Sequence, residues 1–228
     1  SHAANGAIVI TTKKGKEGRW SLTVSQNTEF LRPFVTPNFQ NSYGTGDLLS
    51  SAGSVEKSWG NKLNPSNYMG YDPINDFLRT GVVATETVSL STGTEKNQTY
   101  FSASAVNSVG MVPNNDYDRY NFTFRNTTSF LNDKMTLDVS ASYIKQKDQN
   151  MVNQGTYSNP LVTAYLFPRG DDWNEIKMYE RWDTSRNIYT QYWPQGIDTF
   201  TGQNPYWIAY RNLRENNKDR YMLSGSLS

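Results

Sequence analysis

Between Gln146 and Lys218 the chain carries four tryptophans, Trp173, Trp182, Trp193 and Trp207, and seven tyrosines, Tyr192 among them. Broad aromatic faces stack on sugar rings, pack against peptides and anchor partner proteins. A connection this long also needs a small core of its own, and aromatics supply one. Trp173, Trp182, Tyr192, Trp193 and Trp207 are therefore the candidates for ligand or partner contact, with local packing as the competing role for each. Beside them, Asp171-Asp172-Trp173-Asn174-Glu175 groups carboxylates that could ligate a hard cation. The run lacks the glycine and alternating spacing of a calcium loop, and an acid-rich helix start explains it as well. No metal site is assigned.

Catalytic chemistry has little to work with. The sequence has one histidine, His2, and no cysteine. That leaves a Ser-His-Asp or Cys-His arrangement without parts, and it excludes disulfides and thiolate metal sites. Carboxylate pairs could serve a glycosidase, but none stands apart from ordinary surface acids. No glycine-rich phosphate loop occurs, so no cofactor is expected and the chain is not read as an enzyme. Asn97-Gln98-Thr99, Asn121-Phe122-Thr123 and Asn126-Thr127-Thr128 match glycosylation sequons; two fall inside expected strands, as chance matches would. Net charge is +1 with no basic stripe, which argues against nucleic acid.

The elements that must position these residues are strands. Hydrophobic residues make up 36% and mean hydropathy is −0.71, too polar for a large aliphatic core, while aromatics reach 14%. That balance suits β-structure with one polar and one apolar face. Ala7 to Thr12 is a continuous apolar and β-branched run, as in a strand buried on both faces. From Arg19 the pattern alternates. Trp20, Leu22 and Val24 oppose Ser21, Thr23 and Ser25. Phe101, Ala103 and Ala105 oppose Ser102 and Ser104. Leu137, Val139, Ala141 and Tyr143 oppose Asp138, Ser140 and Ser142. The spacing predicts strands at about 19–32, 85–93, 98–109, 118–131, 134–147 and 218–228. Each is roughly ten residues, the length of a tilted membrane-spanning strand.

The connections carry a second signal. Gly93–Asn97 and Leu131–Lys134 are tight turns, whereas those at about 33–84, 110–118 and 148–217 are long. Short and long alternate, as short turns on one rim and long loops on the other rim of a transmembrane barrel do. Aromatics near strand ends, such as Trp20, Phe30, Tyr120 and Phe130, fit interfacial girdles, although aromatics also simply favour strands. Six strands leave open edges that lipid does not tolerate. The expected fold is thus all-β: antiparallel up-and-down strands of a large barrel, incomplete in these residues. Both ends read as cut.

Ala3-Ala4-Asn5-Gly6-Ala7-Ile8-Val9-Ile10-Thr11-Thr12-Lys13-Lys14-Gly15 closely resembles the end of the plug domain in SusC-like TonB-dependent outer-membrane transporters. Asp76-Phe77-Leu78-Arg79-Thr80-Gly81, then Thr87 to Gly93 and Tyr100 to Ser104, continue the likeness. It covers most of the first 145 residues. The resemblance implies residues 1–18 as the end of a plug and 19–228 as the first part of a 22-stranded barrel. It further implies a Gram-negative outer-membrane location, contact with membrane lipid, a SusD-like surface lipoprotein partner and uptake of oligosaccharides or peptides. Energy would come from a TonB complex, through a region absent from these residues. The competing reading is a secreted, soluble β-sandwich that binds carbohydrate through the Trp-rich connection.

Overall fold

The computed structural model describes residues 18–47, 57–64, 66, 71–194 and 202–228. The expected plug strand within 1–17 lies outside the described residues. Six long strands form one antiparallel sheet: β1 (Gly18–Leu31), β4 (Gly81–Gly93), β5 (Asn97–Val109), β6 (Asp116–Phe130), β7 (Met135–Gln149) and β10 (Glu215–Leu227). Its order is β1-β4-β5-β6-β7-β10, with β1 and β10 at the edges. The intervening labels are small elements: β2 (Gly46–Asp47) and β3 (Ser58–Trp59) pair in parallel, and β8 (Glu180–Asp183) and β9 (Ile188–Gln191) pair antiparallel. The described residues are mostly antiparallel sheet, so the chain is all-β.

Two strands start earlier than alternation predicts. β4 begins at Gly81, inside the stretch read as a loop, and β10 at Glu215. Val82-Val83-Ala84 has no period-two pattern. Pairing settles its conformation: Val82 faces Phe30 on one side and Val109 on the other. In the same way, Glu215-Asn216-Asn217 is polar throughout but pairs with Asp148 and Gln149 of β7.

The register puts like with like. One row runs Leu22, Leu90, Phe101, Phe124, Ala141, Leu223, and the next runs Val24, Val88, Ala103, Phe122, Tyr143, Tyr221. On the opposite face the rows run Ser21, Ser91, Tyr100, Arg125, Ser140, Ser224 and Thr23, Ser89, Ser102, Thr123, Ser142, Met222. Aromatic contacts reinforce the apolar face. The rings of Phe122 and Tyr143 lie 6.3 Å apart and nearly parallel, and Tyr143 and Tyr221 stack at 4.8 Å.

Exposure is inverted relative to a soluble sheet. In the four central strands every fully exposed position belongs to the apolar side: Glu86 and Val88; Asn97, Phe101, Asn107 and Val109; Tyr120, Phe122 and Phe124; Leu137, Lys145 and Lys147. In those four strands the serine- and threonine-rich side is only partly exposed, as the concave side of a curling sheet is. At the edge, Trp20 is 73% and Leu22 65% exposed. Among the described residues no second sheet packs on this face. A β-sandwich would cover it.

On the concave side one ion pair stands out. Arg125 reaches diagonally to Asp138 through two hydrogen bonds, Nε to Oδ1 at 2.9 Å and Nη2 to Oδ2 at 2.5 Å. Both side chains are largely shielded, so the pair is worth more than an ion pair in open water. The turn between β6 and β7 is tight because Leu131, Asn132 and Asp133 all take positive φ, at 53°, 55° and 63°. Asn and Asp tolerate that region; Leu131 is strained there.

Asp138→Ala removes both of these hydrogen bonds from the largely shielded Arg125 guanidinium, and we expect it to cost about 1–3 kcal/mol. Chemical denaturation of the folded protein measures the loss, and Asp138→Asn, which keeps one acceptor, should lose less.

Candidate functional site

The core of this molecule is not on its sheet. All three long connections leave the same end of the strands and share one cluster: Tyr71 and Phe77 before β4, Val112 between β5 and β6, and Ala164, Phe167, Trp173 and Ile176 between β7 and β10. Four short helices carry it: α1 (Pro73–Asp76), α2 (Pro160–Leu166), α3 (Trp173–Lys177) and α4 (Pro205–Tyr210).

Local sequence explains the helices. Three of them open on an Asx-Pro dipeptide: Asp72-Pro73, Asn159-Pro160 and Asn204-Pro205. In each the Asx side chain accepts from the backbone N–H two residues on, at 3.0, 3.0 and 2.8 Å, and proline fills the first helical position. Asp172 caps α3 in the same way, accepting from Asn174 N at 2.9 Å. The acidic run Asp171 to Glu175 is therefore a helix start. Among the described residues no group of three or more His, Cys, Asp or Glu side chains converges as a metal cluster.

Trp173 is the centre of the cluster, 3% exposed. Tyr71 stacks on it at 4.2 Å, Phe167 and Phe77 meet it edge-on at 5.0 and 5.9 Å, and its indole N–H donates to the Tyr206 hydroxyl at 3.1 Å. Tyr71 donates its hydroxyl to the Ala164 carbonyl at 2.9 Å, and burial pushes its pKa far up, so it stays neutral. The Arg169 guanidinium lies 4.3 Å over Phe39 and 5.3 Å over Tyr71. Asn204 is fully buried and ties three segments together: its side-chain amide donates to the carbonyls of Ile176 at 2.8 Å and Tyr192 at 2.9 Å while its oxygen caps α4.

A ring of asparagines fastens this unit to the strand ends. Asn114 and Asn150, at φ 59° and 52°, both donate to the Ala209 carbonyl, at 2.7 and 2.9 Å. Asn115 donates to the Asn150 carbonyl at 3.0 Å, and Arg79 donates to the Gly110 carbonyl at 2.8 Å.

The five aromatic candidates separate. Trp173 is core, and Trp193 packs against that core, 6.1 Å from Phe167. Trp207 is half-buried on α4. Tyr192 lies under the Arg181 guanidinium at 3.4 Å and bonds through its hydroxyl to Glu175. Trp182 is 48% exposed on the β8–β9 hairpin, edge-on to Tyr189 at 5.0 Å. Their contacts run to different neighbours, Phe167, Glu175 and Tyr189 among them. Tyr157, Tyr189 and Tyr210, absent from the candidate set, are also exposed, and Tyr210 stacks on Tyr179 at 5.5 Å. A separate open cavity of about 550 Å³ lies between residues 36–41 and α1, offering Asn38, Asn41, Asp72, Asn75 and Asp76 beside Phe39. Amides and carboxylates beside a ring suit hydroxyl-rich or peptide ligands better than apolar ones. The Asx-Pro dipeptides were visible signals for the helices. The cavity left no sequence signal, since its two walls are about thirty residues apart.

Over 154 residues the chain is 27% identical to the TonB-dependent receptor SusC of Bacteroides thetaiotaomicron. The match takes in 65% of this chain and 14% of that receptor, so the chain spans about a seventh of the relative it matches. No family profile matches the chain. The likeness is distant and partial, and it is to a receptor, not an enzyme. No helix among the described residues is long and apolar enough to cross a membrane, which has no bearing on strands.

Trp173→Ala should cost the loop unit about 3–5 kcal/mol, with near-ultraviolet circular dichroism reporting the collapse of the aromatic cluster. A pH effect follows from Glu180, which receives both Nε and Nη2 of Arg211 at 2.6 and 2.7 Å and is thereby held below the usual carboxylate range. Its stabilisation is present above the ordinary glutamate pKa and is lost as pH falls through the lowered value. Protection of the amides in β8 and the end of α4, corrected for the intrinsic pH dependence of exchange, should therefore fall as pH drops below the ordinary glutamate pKa of about 4.3, and Glu180→Gln should remove that dependence.

Proposed function

We propose that this chain is part of an outer-membrane TonB-dependent importer of the SusC type, with its apolar face against lipid and its hydroxyl-rich face lining the barrel interior. The observation that carries this reading is the inverted exposure of the sheet: apolar residues out, small polar residues in. Dimensions agree. Met135 to Tyr143, the apolar run of β7, spans about 27 Å along the strand and roughly 21 Å along the normal at a tilt of about 40°, close to the ~25 Å apolar band of such barrels. The apolar set also slips across the sheet. In β4 it runs from Leu90 toward the loops, through Val88, Ala84 and Val82, with Glu86 interrupting it; in β7 it runs from Tyr143 toward the turns, through Ala141, Val139 and Leu137. Strands 4.8 Å apart at that tilt shift the membrane level by about one residue per strand, which is the sense of this drift.

In this reading the edges β1 and β10 pair with further barrel strands, residues 1–18 end a plug, and residues 19–228 begin the barrel. The long connections face outward from the cell and take part in capturing an oligosaccharide or peptide. A SusD-like lipoprotein covers them, and exposed rings such as Trp182, with Tyr192 and Trp207 nearby, supply contacts. TonB supplies energy through a region outside this chain. The similarity to the Bacteroides receptor supports the class; the partner and the substrate rest on analogy with it.

Two measurements test this. In the intact protein, Phe124→Arg and Leu90→Arg on the outward face should cost about 2–4 kcal/mol of membrane stability near mid-bilayer, and Thr123→Arg on the inner face much less; equal costs would sink the orientation. Replacing residues 151–213 by a short linker should weaken capture of the imported nutrient at the cell surface, and unchanged affinity would remove the loop unit from ligand binding.

A further inference from the structure

The outward face is not evenly filled. Between β6, β7 and β10 it carries a groove of about 360 Å³, walled by Phe124 and Leu223 and floored by Val139, Ala141 and Gly225, with Ser140 and Ser224 of the same strands in its lining. Register explains the dent. Phe124, Ala141 and Leu223 share one row, tall, short, tall; the next row pairs Val139 with Gly225, both small. The walls stand two strands apart, about 10 Å. On the turn side the dent is closed by the row of Leu137 and Leu227, and on the loop side by the aromatic row of Phe122, Tyr143 and Tyr221.

We propose that this groove seats one acyl chain of a phosphate-bearing lipid in the loop-side leaflet. The proposal rests on the outward reading of the apolar face. In hydrocarbon no water fills such a dent, and an empty one forfeits dispersion contacts along its whole lining. A single methylene chain has the right cross-section and no polar group to satisfy. The head-group end is provided for as well. Loopward of the groove the face changes to Tyr143 and Tyr221 and then to Lys145, four residues from Ala141, or about 13 Å along the strand. Lys145 and Lys147 are exposed on this same face. Asp219 stands opposite Lys145, but its carboxylate already accepts the Tyr143 hydroxyl at 2.5 Å. An exposed lysine at this level is within reach of the layer where lipid phosphates lie, as interfacial lysines are.

The test uses the intact protein in vesicles of phosphatidylglycerol whose acyl chain bears a diazirine, with irradiation and peptide mapping. Label should concentrate on residues 137–143 and 221–227 over the outward residues of β1 and β4, which serve as the internal reference. Gly225→Leu fills the groove, and no atom lies within 4 Å of its added Cβ. It should lower that enrichment about threefold or more, the scale of one packing contact inside a bilayer. Ala141→Leu fills the same dent from β7 and should act alike if the first variant does not insert. Lys145→Gln should lower enrichment with the phosphatidylglycerol probe and leave it unchanged with a diacylglycerol probe of the same chain. Even labelling of all outward strands, or enrichment that both filling variants leave intact, overturns the groove alone. Absence of label from every outward strand, the reference included, overturns the bilayer reading on which it rests.

Discussion

Everything in this structure follows from a sheet that buries neither of its faces within the described residues. Its apolar side is the open side and its polar side is the shielded one. In water that arrangement loses the main driving force for folding, because burial of apolar surface supplies it. In a bilayer the same arrangement is stable, because lipid covers the apolar side and the backbone is satisfied strand to strand. In the proposed setting the hydrophobic effect is not lost from the fold but acts at the contact with lipid.

The displacement explains where the true core sits. A single sheet with no second sheet on it among the described residues has no interior in which to pack large side chains, and the long connections build a core of their own. Trp173, Tyr71, Phe167 and Phe77 lock together by stacked and edge-on contacts, which favour one arrangement over many. Polar fastening does the rest. Asn204 joins α3, the segment after β9 and α4, while Asn114, Asn115 and Asn150 hold the unit to the strand ends. Buried amides of this kind cost free energy unless every bond is made, and here they serve to set the position of one element against another.

The surface that results has two kinds of aromatic. Some are structural, Trp173 above all. Others, such as Trp182, Tyr157 and Tyr210, are exposed. A cavity of amides and carboxylates lies apart from them, against α1. This division suits a surface that meets more than one kind of contact, and it leaves the concave face of the sheet, dense with serine and threonine, to a different task.

Sequence alone determined the strands and their sidedness. Period-two alternation in β5, β6 and β7 is a local property, so it was legible without any contact being known, and the alternation of short and long connections put the loops on one end. The Asx-Pro dipeptides that start three of the helices were a local signal too, but no helix was expected from them. What only the tertiary structure decided was which side faces out, because alternation is identical whether the apolar face meets a second sheet or lipid. It also decided the reach of β4 and β10, whose ends become strand through pairing and not through pattern. Finally, it separated Trp173 from Trp182. Both are tryptophans in one long connection, and their difference arises because Tyr71, about a hundred residues earlier in the chain, covers the first and leaves the second open.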